Sequence, residues 1–174
     1  AGAKMLCPAR AVRFDLSSEQ KIVWTRDKEY RAEAVILAIG VQRKRLAIRG
    51  ARELLGMGVS YCPVCDGTLF KAQDVALIGV DEETISDGLY LSELVSKVHF
   101  IPGTNAPHYR SQSLDNLLSK RNVQLWRNYE ATEIIGLPVV EKVKIRDLNS
   151  KVEQTLNVKG VFISGEKTPV TQML

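Results

Sequence analysis

Two cysteines separated by two residues form the most reactive pattern in this chain of 174 residues. In the run Cys62-Pro63-Val64-Cys65 the two thiols can reach disulfide geometry within a single turn of the backbone. Because the thiols are neighbours, oxidation of the pair is intramolecular and therefore fast and reversible. Asp66 follows directly and brings a proton donor or acceptor within reach of the second sulfur, and Gly67 is expected to end any helical turn begun here.

Three interpretations of this pair are open: a redox-active dithiol, half of a zinc site, or a spacing without a chemical role. A zinc site needs two further Cys or His ligands, and only Cys7, His99 and His108 remain, none of them paired at ligand spacing. The proline inside the motif and the Asp-Gly after it favour the redox dithiol. Cys7 lies in a predicted strand and is interpreted as a small buried hydrophobic residue.

Length, composition and charge restrict the classes of protein to be considered. The chain is 45% hydrophobic and 25% charged, which excludes disordered, collagen-like and low-complexity classes. No apolar run reaches the roughly 18 residues of a membrane helix, and the N-terminus lacks the pattern of a signal peptide. The net charge of +4 is too small by itself to indicate nucleic-acid binding. We therefore predict a cytoplasmic protein without nucleic-acid or membrane partners, and the abrupt start at Ala1 suggests a piece of something larger.

Residues 1–54 are predicted to be mainly short strands with turns. Residues 7–14, 21–25 and 29–31 have the pattern of a small antiparallel meander. Residues 34–38 are a continuous apolar run stopped by Gly40, which predicts a strand buried on both faces, as in a parallel sheet. The basic, glycine-punctuated segment 41–58 is interpreted as a linker at a domain boundary.

From Asp74 onward the pattern alternates between strand and helix. Strands are predicted at 75–79, 98–101, 123–126 and 160–163, helices at 82–96 and 113–120, and a hairpin from 142–147 and 152–158. This order predicts an α/β fold with a small Rossmann-like, three-layer domain and a β-rich piece at its N-terminus.

Taken in order, these segments resemble the centre of the low-molecular-weight, bacterial-type thioredoxin reductases. The resemblance is carried by residues 59–67 with the strand 75–79, residues 34–40, Tyr90-Leu91 with 98–101, and 160–163 with Pro169. It implies that residues 1–54 are part of a split FAD-binding domain, a β-meander and linker, and that 55–174 are an NADPH-domain-like α/β domain carrying the cysteine pair. It also implies a homodimer when complete, with rotation between the two domains.

The family passes electrons from a nicotinamide through FAD to the cysteine pair and then to a thioredoxin-like protein. By this resemblance Cys65 would be the flavin-facing thiol and Cys62 would attack the partner disulfide. Asp66 would be the acid that protonates the leaving thiolate or the reduced flavin system. The segment Ala38-Ile39-Gly40 would contact the flavin.

The sequence departs from the family where NADPH would bind. A dinucleotide turn needs Gly-x-Gly-x-x-Gly/Ala, but here it is Gly79-Val80-Asp81-Glu82-Glu83-Thr84, with Gly79 the only remnant. Asp81 takes the second glycine position, where it predicts a helix N-cap instead, and acids in the first turn complement the helix dipole.

The family's phosphate-binding His-Arg-Arg set is also missing. Pro102-Gly103-Thr104 stands in its place, and Arg110 is the single candidate for the family's later arginine. Gly165-Glu166 replaces the usual isoleucine-glycine pair. NADPH is therefore disfavoured, and ferredoxin or another electron donor is expected. The chain alone is expected to bind FAD weakly or not at all. A second class stays open: a non-catalytic Rossmann-like interaction or dimerisation module with a vestigial or regulatory cysteine pair.

Overall fold

The computed structural model describes residues 2–43, 47–79, 81–103, 111–164 and 167–169. The chain divides into two compact units, Ala1–Arg43 with Lys167–Leu174 as the first unit and Lys44–Glu166 as the second unit. In chain order the elements are β1 (Ala11–Asp15), β2 (Lys21–Thr25), β3 (Glu29–Ala32), β4 (Val41–Arg43), β5 (Val59–Ser60), α1 (Pro63–Asp66), β6 (Asp74–Ile78), α2 (Glu82–Ser92), β7 (Lys97–Ile101), α3 (Gln112–Leu118), β8 (Val123–Leu125), β9 (Tyr129–Gly136), β10 (Val140–Asp147), β11 (Glu153–Asn157), β12 (Gly160–Ile163) and β13 (Lys167–Pro169).

The first unit contains the predicted antiparallel meander. β2 pairs with both β1 and β3, and Val23 lies opposite Phe14 on one side and Tyr30 on the other. β13 returns to this unit and pairs antiparallel with β4. The first strand begins at Ala11 rather than at residue 7, so the predicted placement of Cys7 in a strand is wrong, and its side chain is exposed rather than buried.

The predicted buried strand at residues 34–38 is also wrong. Residues 34–40 form neither helix nor strand, and the side chain of Ile36 is 94% exposed. A strand buried on both faces needs neighbouring strands and a covering layer on each side. Within the described part of the chain no strand pairs with this segment, so its apolar composition alone does not make it a strand.

The second unit is built on a five-stranded parallel sheet with the order β5-β12-β6-β7-β8. Alternating residues of each central strand point to opposite faces. Val75 and Leu77 of β6 join the cluster that includes Ile85 of α2 and Leu117 of α3, whereas Ala76 of the same strand joins the cluster on the other face. Both faces are therefore covered, which is why these strands are continuous apolar runs.

The third layer is an antiparallel sheet with the order β11-β10-β9. Val143 and Ile145 of β10 and Leu156 of β11 pack in the core beneath the parallel sheet. The predicted hairpin of β10 and β11 is confirmed, whereas β9 was not predicted from the sequence. The α/β, three-layer fold class is confirmed.

Residues 47–54 pack with the second unit, although the sequence analysis assigned them to the N-terminal segment. Ile48, Ala51 and Leu54 are buried in the core on the antiparallel side, and the amide of Ile134 donates a hydrogen bond to the carbonyl of Arg49. Residues 44–46, the centre of the basic segment, lie outside the described residues. Among the described helices, none is long and apolar enough to cross a membrane.

Candidate redox-active site

The cysteine pair lies on a short helical turn that follows edge strand β5. Cys62 is the N-cap of α1, and its carbonyl accepts hydrogen bonds from the amides of Cys65 and Asp66, each 3.1 Å long. Pro63 occupies the first helical position, where the N–H that proline lacks would have no partner within the helix. The local sequence therefore folds the turn that brings the two cysteines together.

Cys62 and Cys65 form a disulfide with their Cα atoms 5.3 Å apart. Cys65 is exposed, Cys62 is half-buried, and the side chain of Val64 between them is 66% exposed. The bond is accordingly accessible to an attacking thiolate from solvent. Among the described residues no group of three His, Cys, Asp or Glu side chains is placed to hold a metal ion.

The residues that follow the turn pack it against the parallel sheet of the second unit. Gly67 does not end the helical conformation as expected, because its φ and ψ of −56° and −34° are helical and the chain continues as a 3₁₀ turn over Gly67–Phe70. The ring of Phe70 packs edge to face on Phe162 of β12, with 5.5 Å between centroids. The disulfide is thus connected through four residues to an aromatic contact with the central sheet.

Asp66 is half-buried, and its carboxylate accepts a hydrogen bond from the hydroxyl of Ser60 across 2.6 Å. The same hydroxyl oxygen accepts a hydrogen bond from the amide of Cys62, with 3.0 Å between the atoms. Sequence reasoning missed Ser60. A usable signal was present, since a polar residue at the carboxyl end of a parallel strand is a common position for functional groups.

The turn after β6 places a carboxylate at the start of α2. Oδ1 of Asp81 accepts hydrogen bonds from the amide of Thr84 (2.8 Å), the hydroxyl of Thr84 (2.5 Å) and the hydroxyl of Ser164 (3.3 Å). The predicted N-cap role of Asp81 is confirmed. The amide of Thr84 in the first turn of α2 therefore already donates to a carboxylate of the same chain and is not free to bind a pyrophosphate.

Gly79 is required by the backbone at this turn. Its φ is +151°, and a Cβ there would lie 2.8 Å from the carbonyl oxygen of Ser164 and 2.6 Å from the hydroxyl of Thr84. The glycine therefore allows β6 to approach the end of β12, a structural role that does not depend on a nucleotide.

The remaining predicted positions lie in the first unit, at the end of β7 in the second unit, or outside the described residues. Ala38, Ile39 and Gly40 lie in the first unit, are exposed, and belong to no helix or strand. Pro102 is buried at the end of β7. Val80, Thr104, His108, Arg110, Gly165 and Glu166 lie outside the described residues.

A buried histidine of the parallel sheet has a specific hydrogen-bond partner. His99 of β7 is 7% exposed, and its Nδ1 accepts a hydrogen bond from the indole N–H of Trp126 across 3.1 Å. Burial and the nearby Lys97 lower the pKa of His99, against a smaller opposing effect of Asp74. The imidazole is therefore held neutral, with Nδ1 as the acceptor.

The fold and the site define a Rossmann-like α/β module that carries a redox-type disulfide. The chain is 37% identical to the thioredoxin reductase of Aquifex aeolicus over 158 residues, which are 88% of this chain and 48% of that protein. By sequence and fold, this chain is similar to about half of a thioredoxin reductase. No family model matches it.

Solved structures agree with this relationship. The thioredoxin reductase of T. acidophilum superposes with a TM-score of 0.77 at 30% identity, over 95% of this chain and 55% of that one. A ferredoxin-flavin thioredoxin reductase from Clostridium acetobutylicum superposes with a TM-score of 0.58 at 28% identity, over 95% of this chain and 52% of that one. The chain thus spans about half the length of the proteins it matches.

Proposed function

We propose that this chain is the dithiol-bearing segment of a flavin-dependent disulfide reductase that transfers electrons through Cys62 and Cys65 to a thioredoxin-like protein. The observation that carries the proposal is the accessible disulfide at the carboxyl end of β5, followed directly by Asp66. The names of the related proteins support the class of partner.

In the proposed reaction the reduced pair undergoes dithiol–disulfide exchange. The thiolate of Cys62 attacks the partner disulfide, forming a mixed disulfide and releasing one partner thiolate. The thiolate of Cys65 then attacks the sulfur of Cys62, re-forms the Cys62–Cys65 bond and releases the second partner thiolate. Two electrons and two protons pass to the partner, and Asp66 is assigned as the group that protonates a departing thiolate.

FAD, bound by the complete protein, would supply the two electrons that reduce the pair, and Ala38, Ile39 and Gly40 are assigned to its contact surface. The described residues do not by themselves enclose this group, because that segment is exposed and nothing lies within 4 Å of a Cβ placed on Gly40. We therefore expect the chain alone to be purified without flavin. A purified sample with near-stoichiometric flavin absorbance would contradict this expectation.

NADPH is disfavoured as the donor because the residues of the turn after β6 do not fit its pyrophosphate. A phosphate placed about 4 Å from the Asp81 carboxylate would meet a repulsion of roughly 1–4 kcal/mol per unit charge. It would also compete with the carboxylate for the amide of Thr84, which already donates to Asp81. We assign the electron supply to ferredoxin or another donor, in keeping with the name of the Clostridium acetobutylicum structure.

Two experiments test this function. The chain, reduced with a dithiol and freed of excess reductant, is mixed with oxidised thioredoxin, and thioredoxin thiols are counted; Cys62→Ser and Cys65→Ser variants are the controls. Transfer from the native chain alone supports the reductase, whereas no transfer favours a non-catalytic module with a vestigial or regulatory pair. Stopped-flow mixing of the complete flavoprotein with NADPH tests the donor, and rapid flavin reduction at micromolar NADPH would refute that part.

The proposal also covers the complete protein's assembly and location, which we assign as a cytoplasmic homodimer. Sedimentation of the complete protein and fractionation of its host cell would test these two assignments.

A further inference from the structure

A buried hydroxyl lies between the cysteine pair and the acid that follows it. Ser60 is 6% exposed at the end of β5. Its hydroxyl oxygen accepts a hydrogen bond from the amide of Cys62, and its O–H group donates to Oδ2 of Asp66. The carbonyl oxygen of Cys62 lies farther away, at 3.5 Å. The hydroxyl therefore connects the backbone of the first cysteine to the carboxyl group of Asp66.

We propose that Ser60 is a positioning residue that holds the Asp66 carboxyl group in place while a proton passes between that group and a cysteine sulfur. This inference rests on the proposed role of Asp66 as the acid of the cysteine pair. It adds to that role the residue through which the geometry of the acid is set.

A serine hydroxyl can hold this carboxyl group in both of its protonation states. A hydroxyl has one proton to donate and two lone pairs that accept. Beside the carboxylate, which can only accept, the Ser60 hydroxyl donates to Asp66 across 2.6 Å. Beside the carboxylic acid, Ser60 accepts from Asp66 and turns its own proton toward the carbonyl of Cys62. Only the hydroxyl rotates, so Asp66 keeps the same partner through the proton transfer.

The step that Ser60 supports can be followed with a small dithiol as reductant. A thiolate of the reductant attacks one sulfur of the Cys62–Cys65 bond, which breaks, and the departing cysteine thiolate takes the proton of Asp66. The second reductant thiol, as its thiolate, attacks the mixed disulfide, closes the reductant into a cyclic disulfide and frees the other cysteine. Two electrons move from reductant to protein, the two reductant protons balance the two new cysteine thiols, and Asp66 regains its proton from solvent.

A purely structural role would give a different result. Ser60 also binds the amide of Cys62, so its loss could weaken the turn without any effect through Asp66. The two possibilities separate when Ser60 is changed in a chain that already lacks the acid, because only the structural effect would then remain.

The test measures the rate of disulfide reduction by dithiothreitol between about pH 5 and 8, the range below and near the pKa of ordinary thiols. The variants are Ser60→Ala, Ser60→Thr, Asp66→Asn and the double variant Ser60→Ala with Asp66→Asn. Ser92→Ala is the matched control, because Ser92 is also a buried serine of the second unit but donates to the carbonyl of Leu89, away from the pair.

We expect Asp66→Asn to slow reduction by about 100-fold, the lower end of what a general acid contributes, and Ser60→Ala by about tenfold with a displaced pH profile. Ser60→Thr, which keeps the hydroxyl, should restore the native profile, and Ser92→Ala should not change it. In the Asp66→Asn chain, Ser60→Ala should have no further effect.

Three results would overturn the inference. A native pH profile in Ser60→Ala would show that Asp66 does not need its partner. An equal loss from Ser60→Ala with and without Asp66 would show that Ser60 acts only on the backbone of Cys62. A native rate in Asp66→Asn would show that Asp66 does not act as the acid, so Ser60 could not act through it. If these variants behave as expected but the reduced chain does not reduce thioredoxin, the proposed partner is wrong and the role of Ser60 stands.

Discussion

Replacing Asp81 with alanine should destabilise the second unit by about 2–4 kcal/mol. The substitution removes one oxygen atom that accepts three hydrogen bonds, two from Thr84 and one from Ser164. Thr84 is completely buried, so water cannot replace the lost partner.

The magnitude follows from two separate losses. An N-cap replaced by alanine costs about 1 kcal/mol. A buried hydroxyl left without its partner costs about 1–3 kcal/mol more. Asp81→Asn keeps an acceptor oxygen and is nearly as good an N-cap, so it should cost less than about 1 kcal/mol. The pair of variants separates the hydrogen-bonding role of Asp81 from its charge.

Urea unfolding followed by tryptophan fluorescence measures these differences. The chain has two tryptophans, and Trp24→Phe leaves Trp126 as the reporter of the second unit. With a urea dependence of about 2 kcal/mol per molar, Asp81→Ala should lower the midpoint by roughly 1–2 M. Glu82→Ala, an exposed acid in the same helical turn, is the control and should change the unfolding free energy by less than about 0.5 kcal/mol. A midpoint for Asp81→Ala equal to that of the control would refute the capping role of Asp81.

Three further predictions follow from the site and its surroundings. Gly79→Ala should cost at least about 2 kcal/mol in the same urea assay, because its Cβ would lie 2.8 Å from the backbone oxygen of Ser164; an unchanged midpoint would contradict the required positive φ. The pKa of His99 is lowered in the folded state, so its contribution to stability is complete above the unfolded-state pKa near 6.5. Below that pH the unfolding free energy declines by at most about 1.4 kcal/mol per pH unit. His99→Gln should flatten this part of the pH dependence measured by urea unfolding, and an identical slope would contradict the prediction. Without reductant, a maleimide should label only Cys7, and after reduction it should label all three cysteines; labelling of the Cys62–Cys65 pair before reduction would rule out the disulfide.

Patterns that depend on neighbouring residues in the chain were predictable. The alternation of β6, α2, β7, α3 and β8 is visible as apolar runs and helical spacing, since both faces of the parallel sheet are covered. The N-cap at Asp81 was predictable because its acceptor bonds the amide three residues later. The meeting of Cys62 with Cys65 was predictable for the same reason, as a single turn spans both.

Predictions that assumed a particular environment failed. The run at 34–38 has the composition of a buried strand, but burial depends on layers that pack against it, and the described structure leaves Ile36 exposed. Cys7 is apolar in character, and yet it lies outside β1 and is exposed. The type of a residue indicates which environments it can occupy, whereas its actual environment is formed by residues far away in the chain.

The sequence by itself determined the class of fold, the cysteine pair, the aspartate beside it and the N-cap of α2, because each depends on contacts within a few residues or on a periodic pattern. Only the tertiary structure decided that Ser60 bonds Asp66, that Trp126 bonds His99, and that Ser164 completes the partners of Asp81. These bonds, apart from the first, join residues 27 and 83 positions apart. Even the Ser60 bond depends on how β5 and α1 turn relative to each other. Such distances and angles are set by the packing of the whole sheet, which no local pattern encodes.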